Sequence, residues 1–191
     1  MKIYTKVGDE GKTVFFGCGM VSKDDPRIEA HGALDELNSI IGVTLCFIED
    51  EKLRQNLMMV QNDLFQVGAD LAGISLMASS LPKVREEHVQ EIERKIDELE
   101  DKLGMPAQFI LPRGTVASSF LHLCRAMARR AERALVKVKH NLDLNPAMLR
   151  YINRLSDLLY VLARQANKEL DVKEQQPIYK YFDEKKKEDL Y

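Results

Sequence analysis

The sequence predicts an all-α fold: a bundle of five amphipathic helices behind an extended N-terminal segment. Three observations carry this. From about residue 26 to residue 170, apolar residues recur at steps of three and four in five separate stretches, so each stretch presents one apolar stripe. Breaks rich in Gly, Pro, Asn and Ser separate the stretches. At 191 residues, with 45% hydrophobic and 30% charged residues, the chain is long enough for one domain with a sizeable core. Five stripes bury one another most simply by packing side by side. The domain is read as residues 1–191: an N-terminal segment 1–25, helices over 26–170, and a tail 171–191.

Residues 1–25 are rich in Gly, Lys, Asp and Thr, with a short β-prone run at Val14, Phe15 and Phe16; they read as extended and looped. Pro26 suits a first helical turn, with Asp24 and Asp25 before it as caps. Leu34, Leu37, Ile41, Leu45 and Ile48 form the stripe of the first helix. Leu53, Leu57, Val60, Leu64, Val67, Leu71 and Ile74 form that of a long second helix, which S-L-M-A-S-S-L-P-K ends. Val89, Ile92, Ile96, Leu99 and Leu103 mark a highly charged third helix closed by Gly104 and Pro106. After the loop G-M-P-A-Q-F-I-L-P-R-G, the stripe of the fourth helix is read as Val116, Phe120, Leu123, Met127, Ala134 and Val138. N-L-D-L-N-P opens a fifth helix, with Ile152, Leu155, Leu159, Leu162 and Ala166 inward. The end, D-E-K-K-K-E-D-L-Y, is a charge run expected to be solvated or frayed.

A net charge of only −2 leaves no global field to draw the chain to nucleic acid or an acidic membrane, so any basic site must be local. No apolar run approaches the roughly 20 residues of a membrane span, and the first residues are too polar for a secretory signal. The three cysteines, Cys18, Cys46 and Cys124, are widely spaced and form no C-x-x-C pair. This speaks against a disulfide framework or structural zinc and for a reducing, cytoplasmic setting. A di-iron bundle needs E-x-x-H on two helices, whereas Ile28, Arg85, Ser119 and Lys137 stand three before the four histidines. There is no G-x-S-x-G elbow and no G-x-G-x-x-G after a predicted strand, and no metal ligand is assigned.

G-D-E-G-K-T, from Gly8 to Thr13, is like the tail of a phosphate-binding P-loop, but only Asp9 and Glu10 separate its glycines. The V-F-F-G-C-G that follows is too aromatic and Gly-broken to be the helix such a loop requires. A lysine-bearing, Gly-rich segment can still wrap phosphates with backbone N–H groups, as a nest.

The fourth helix carries R-A-M-A-R-R-A-E-R. At about 100° per residue, Arg125, Arg129 and Glu132 fall within roughly 60° of one another, opposite the apolar stripe, while Arg130 lies about 140° from Arg125 near the stripe's edge. A solvated charged face is one reading. Arginines stacked without acids at i,i+4 repel one another unless an anion or acidic partner is present, and an arginine at the core margin calls for a carboxylate from another helix. On the fifth helix N-R-L-S-D groups Asn153, Asp157, Tyr160 and Arg164 away from its stripe. Facing the arginines, this cluster would line a polyphosphate site; facing outward, it would meet water. The first helix adds Glu29, His31, Asp35, Glu36 and Asn38; Asp35 is a candidate partner for an arginine, though a lone acid is more often on the surface. His122, between Leu121 and Leu123, reads as structural, and Phe109 as a loop hydrophobe plugging the end of the bundle.

Together, T-K-V-G-D-E-G-K-T, V-S-K-D-D-P-R-I-E-A-H-G-A-L-D-E-L-N-S-I-I-G, the F-I-L-P-R-G-T loop with its R-R-A-E-R helix, and Y-I-N-R-L-S-D-L-L-Y-V-L-A-R resemble the PduO-type ATP:cob(I)alamin adenosyltransferases. The likeness runs in order to about residue 169. It implies a five-helix up-and-down bundle of ferritin-like architecture, assembled as a homotrimer with active sites between subunits. It implies Mg²⁺-ATP and a corrinoid reduced to Co(I), possession of which points to a corrinoid reductase as partner. Cobalt would attack the 5′-carbon of ATP, forming adenosylcobalamin and releasing triphosphate. Carried onto this sequence, Thr5, Lys6, Val7, Gly8 and Thr13 would wrap the phosphates, with Lys23 adding a cation. Arg129, Arg130, Glu132, Arg133 and Asn153 would contact ATP, and Arg125 would pair with Asp35 of a neighbouring subunit. Phe109 would close the lower face of the corrin, displacing its axial ligand so that four-coordinate Co(II) is easier to reduce. Val7 stands where Thr is common, Met20 where Arg is frequent, and Arg113 where a small residue is usual. The alternative these departures leave open is a non-catalytic ATP- or corrinoid-binding carrier or regulator.

Overall fold

In the computed structural model, which describes residues 2–15, 19–73, 82–104, 106 and 108–178, helix α1 (Pro26–Leu45) begins as the sequence requires. Asp25 is its N-cap, accepting from the Arg27 N–H at 2.9 Å, and Pro26 occupies the first turn, where a missing N–H costs nothing. Helices α2 (Glu51–Gly73), α3 (Glu86–Leu103), α4 (Val116–Lys139) and α5 (Pro146–Glu169) follow. Gly104 ends α3 at φ 69°, and the Asn145 side chain caps α5 by accepting from the Ala147 N–H at 3.0 Å. Among the described residues of the N-terminal segment, β1 (Lys12–Phe15) and β2 (Gly19–Ser22) pair antiparallel, Thr13 opposite Val21. Phe15 anchors this hairpin: it is buried, edge-on to His31 at 6.1 Å, with the Arg27 guanidinium over its ring. Phe16, Cys18, Ile74, most of the break after α2, and the D-E-K-K-K-E-D-L-Y tail lie outside the described residues.

Helix α4 packs along both α1 and α5, α3 along α5, and α2 along α1, so α5 lies at the centre of the bundle. Its consecutive residues Leu158 to Ala163, with the exception of Tyr160, are buried, the mark of a helix packed on nearly every side. Tyr151 of α5 donates its phenol proton to Asp63 of α2 at 2.7 Å. Burial holds the Asp63 carboxyl above its ordinary range, against the pull of that hydrogen bond. No described helix is long and apolar enough to cross a membrane.

Two helical stripes differ from expectation. Ile48 is buried but lies beyond the end of α1, in the turn to α2. In α4 the buried face is Ala117, Leu121, Cys124, Ala128, Ala131, Leu135 and Val138, while Val116 and Leu123 are exposed and Phe120 and Met127 only half-buried. Held between α1 and α5, α4 buries Leu121, Leu135 and the expected Ala134 and Val138 together with Ala117, Cys124, Ala128 and Ala131. It leaves Val116 and Leu123 outside, while Phe120 stacks on Phe47 at 5.3 Å.

Candidate functional site

The N-terminal segment folds into linked turns. Lys6 has φ 62°, Asp9 N–H donates to the Lys6 carbonyl and Gly11 N–H to the Gly8 carbonyl, both at 3.3 Å, and Lys23 N–H reaches the Gly11 carbonyl at 2.9 Å. A Cβ on Gly8 would sit 3.1 Å from the Lys23 ammonium nitrogen, so the glycine lets that cation lie against the loop. Thr5 Oγ1 accepts from the Val7 N–H at 3.5 Å, and Thr13 is half-buried in β1. Thr5, Lys6 and Val7 are exposed. A left-handed residue, free backbone amides and a lysine at a glycine are the parts of an anion-binding nest.

The arginine run of α4 divides three ways. Arg130 points to α1, where it binds Glu36 and, at 3.3 Å, Glu29: the core-margin arginine has found its carboxylates. Glu132 points to α5 and accepts from Asn153 Nδ2 at 2.8 Å; Asn153 Oδ1 in turn accepts from Arg154 at 3.0 Å, and Arg154 binds Glu93 of α3 at 2.9 Å. Arg129 and Arg133 are exposed and make no hydrogen bond or ion pair among the described residues, though Arg129 lies within the field of Asp157. The arrangement is a polar floor, Glu132–Asn153–Arg154, edged by two exposed guanidinium groups that form no ion pair among the described residues. Such an edge favours a multiply charged anion.

Within one chain the structure does not bring Asp35 and Arg125 together. Asp35 lines a cavity of about 330 Å³ between α1 and α2 with His31, Asn38, Leu64 and Phe65. Arg125 lies beside His122, Tyr160 and Glu174, and its Nε is buried without a partner among the described residues. Nor do hydrogen bonds or ion pairs among the described residues join the N-terminal turns to α4 or α5.

Phe109 does not plug the bundle end; it is 84% exposed, because its loop is held from beneath by other residues. Arg164 is likewise not grouped with the outward polar residues. It is buried, binding Glu174 at 2.8 Å and the Gly104 carbonyl at 2.8 Å, since the polar side of a central helix also meets protein. Asn167, just as deeply buried, is a further residue that the sequence does not single out, and no local pattern in α5 sets it apart from the helix's other polar residues.

His122 is the buried group most open to a test. Burial, with a smaller push from Arg125, lowers its pKa from 6.5 to about 4, and neither ring nitrogen has a hydrogen-bond partner among the described residues. The folded chain therefore prefers the neutral ring. Its contribution to stability is complete above the unfolded pKa of 6.5 and is lost as pH falls toward about 4, for a total of about 3 kcal/mol. Urea unfolding at about pH 7 and about pH 5 should show a loss near 2 kcal/mol that His122→Leu largely abolishes. An equal loss in the variant would assign the acid sensitivity to other groups.

The model of a family described as cobalamin adenosyltransferase matches residues 3–166. The chain is 40% identical over 164 residues to a corrinoid adenosyltransferase of Citrobacter freundii, covering 85% of this chain and 93% of that one. It is 43% identical over 167 residues to the corrinoid adenosyltransferase PduO of Salmonella typhimurium, covering 86% of this chain but 49% of that one, so it spans about half the length of this relative. Among solved structures, a variant of a PduO-type ATP:corrinoid adenosyltransferase from Lactobacillus reuteri, complexed with cobalamin and ATP, aligns with a TM-score of 0.85 at 37% identity, over 94% of this chain and 97% of that one.

Proposed function

The chain belongs to the cobalamin adenosyltransferase family, and from that premise we propose that it moves the 5′-deoxyadenosyl group of ATP onto the Co(I) of a reduced corrinoid. The cobalt lone pair forms the bond to C5′, the C5′–O bond breaks, and its electrons leave on triphosphate. The corrinoid supplies the nucleophile; what this chain's residues do is bind, orient and stabilise charge.

The observation that carries this reading is that Arg129 and Arg133, at the edge of the Glu132–Asn153 floor, are exposed and form no hydrogen bond or ion pair among the described residues. Guanidinium groups without acids are disposed to take a triphosphate whose charge grows as the bond breaks. Gly8, Lys23 and the amides of Thr5 to Gly8 would wrap the far phosphates, with Thr13 close by in β1. Arg130, already bound to Glu29 and Glu36, holds α1 against α4 and reaches ATP only by exchanging those partners. A Mg²⁺ accompanying ATP would be held largely by phosphate oxygens and water. Bound there, the ion neutralises phosphate charge.

A homotrimer with sites between subunits accounts for several unsatisfied features at once. Val43, Val116 and Leu123 are exposed apolar residues on adjacent helices α1 and α4, and Phe47, just past the end of α1, is exposed as well. Among the described residues neither Arg125 nor Asp35 forms an ion pair, Arg125 Nε is buried without a hydrogen-bond partner, and no hydrogen bond or ion pair ties the N-terminal turns to α4 of their own chain. A reductase would keep the corrinoid as Co(I), a state suited to the cytoplasm.

The test is an anaerobic assay with Mg²⁺-ATP and chemically reduced cobalamin. Repeated turnover should give the light-sensitive spectrum of an alkylcobalamin. No spectral change with ATP demonstrably bound would refute the proposal. One equivalent of product, retained without further turnover, would instead mark a carrier, the reading that exposed Val7 and Met20 leave open.

A further inference from the structure

We infer that Arg164 and Asn167, on consecutive turns of α5, together with Glu174, are positioning residues that set the loop bearing Phe109; the inference rests on Phe109 being the residue that closes the lower corrin face. Arg164 is 5% and Asn167 1% exposed. Polar groups so deeply buried persist only where their donors and acceptors are matched. At the start of the loop, Arg164 Nη1 donates to the carbonyl of Gly104, where α3 ends, at 2.8 Å. At its finish, Asn167 Nδ2 donates to the Arg113 carbonyl at 3.2 Å, and Oδ1 accepts from the N–H of Thr115, the N-cap of α4, at 2.9 Å. Between those residues Gly114 has φ 144°, and a Cβ there would overlap the Asn167 carboxamide, so the fit requires glycine.

A third tie acts at mid-loop. Past α5 the chain turns back at Asp171, with φ 52°, and Val172 N–H donates to the Asn167 carbonyl at 2.9 Å. This lays Glu174 against Arg164 at 2.8 Å and brings the neighbouring Gln175 carbonyl to the Leu111 N–H at 2.7 Å. The loop is thus held at both ends by α5 and in its middle by a strap that Arg164 itself grips. Phe109, two residues from Leu111, is nevertheless 84% exposed. A frame this well bonded presents the ring at a defined place rather than packing it into the core. Displacing a positioning group by about 1 Å is enough to cost on the order of 100-fold in rate.

Glu174 lies outside the helices, so its replacement leaves the apolar core of the bundle intact, but Glu174→Ala strands the buried Arg164 guanidinium and is expected to lower the melting temperature as well. We expect Glu174→Ala to quicken amide hydrogen exchange over residues 108–115. With ATP present, it should also lower the four-coordinate fraction of bound cob(II)alamin, read by its absorption and magnetic spectra, and corrinoid turnover by about tenfold or more. ATP affinity by calorimetry should stay at the wild-type value, and Glu174→Gln, which keeps an acceptor for Arg164, should recover most of the loss. Unchanged exchange, or faster exchange with a wild-type four-coordinate fraction, would overturn the inference. If Phe109→Ala itself keeps that fraction, the reading of Phe109 fails and the inference falls with it, whatever Glu174→Ala does. Should Glu174→Ala not fold, Gly114→Ala displaces the same loop from its other anchor and is read by the same three measurements.

Discussion

Replacing Arg129 by alanine is expected to lower kcat by about two to three orders of magnitude while leaving the melting temperature within experimental scatter. The two halves of that expectation come from the same observation. Arg129 is exposed and makes no hydrogen bond or ion pair among the described residues, so removing it breaks no contact that supports the fold. In the reaction, cleavage of the C5′–O bond moves a full electron pair onto the triphosphate, and a guanidinium at the edge of the Glu132–Asn153 floor would act where that charge develops. A donor lost from such a position typically costs about 3–4 kcal/mol of transition-state stabilisation. Arg129→Lys should fall between wild type and alanine, keeping the charge but losing the planar fork. Steady-state rates at saturating ATP and reduced cobalamin decide the matter; wild-type turnover in Arg129→Ala would remove the residue from the site.

Two inactive variants, Arg125→Ala and Asp35→Ala, are expected to regain activity when refolded together. If Arg125 of one subunit pairs with Asp35 of the next, each variant alone damages every interface of its trimer. In mixed trimers some interfaces bring an intact Arg125 to an intact Asp35, roughly a quarter of them at equal mixing. Activity should rise to about that share of wild type, and only after subunits have exchanged. The structure motivates the experiment through Arg125 Nε, buried beside His122 without a hydrogen-bond partner among the described residues, and through Asp35, which lines a cavity between α1 and α2 instead of approaching it. No recovery after demonstrated exchange would exclude a site shared in this way.

Much of this molecule was legible residue by residue. Asp25 before Pro26, Gly104 after Leu103 and Asn145 before Pro146 mark helix ends through contacts that span only a few residues. The expectation that Arg130 needs carboxylates from another helix was likewise local geometry, and Glu29 and Glu36 meet it. The expected α4 stripe holds at Ala134 and Val138 but not at Val116 and Leu123, because the face that α4 buries is the one that meets both α1 and α5, and that face carries Leu121, Ala128 and Ala131. Grouping Arg164 away from the apolar stripe left its surroundings open for a similar reason: a helical wheel says which residues share a face, not whether that face meets water or protein.

What the sequence determined by itself, then, was where helices begin and end, that five of them must share a core, and which side chains carry positive charge, since all of this follows from periodicity, capping and composition. Only the tertiary structure decided which of the charges are spent. It pairs Arg130 and buries Arg164, leaves Arg129 and Arg133 exposed and without an ion pair among the described residues, and ties the Phe109 loop to α5 and the strap beyond it. Those outcomes depend on partners distant in the chain, as Gly104, Arg113 and Arg164 are from one another, and no local pattern encodes the distances at which such partners meet.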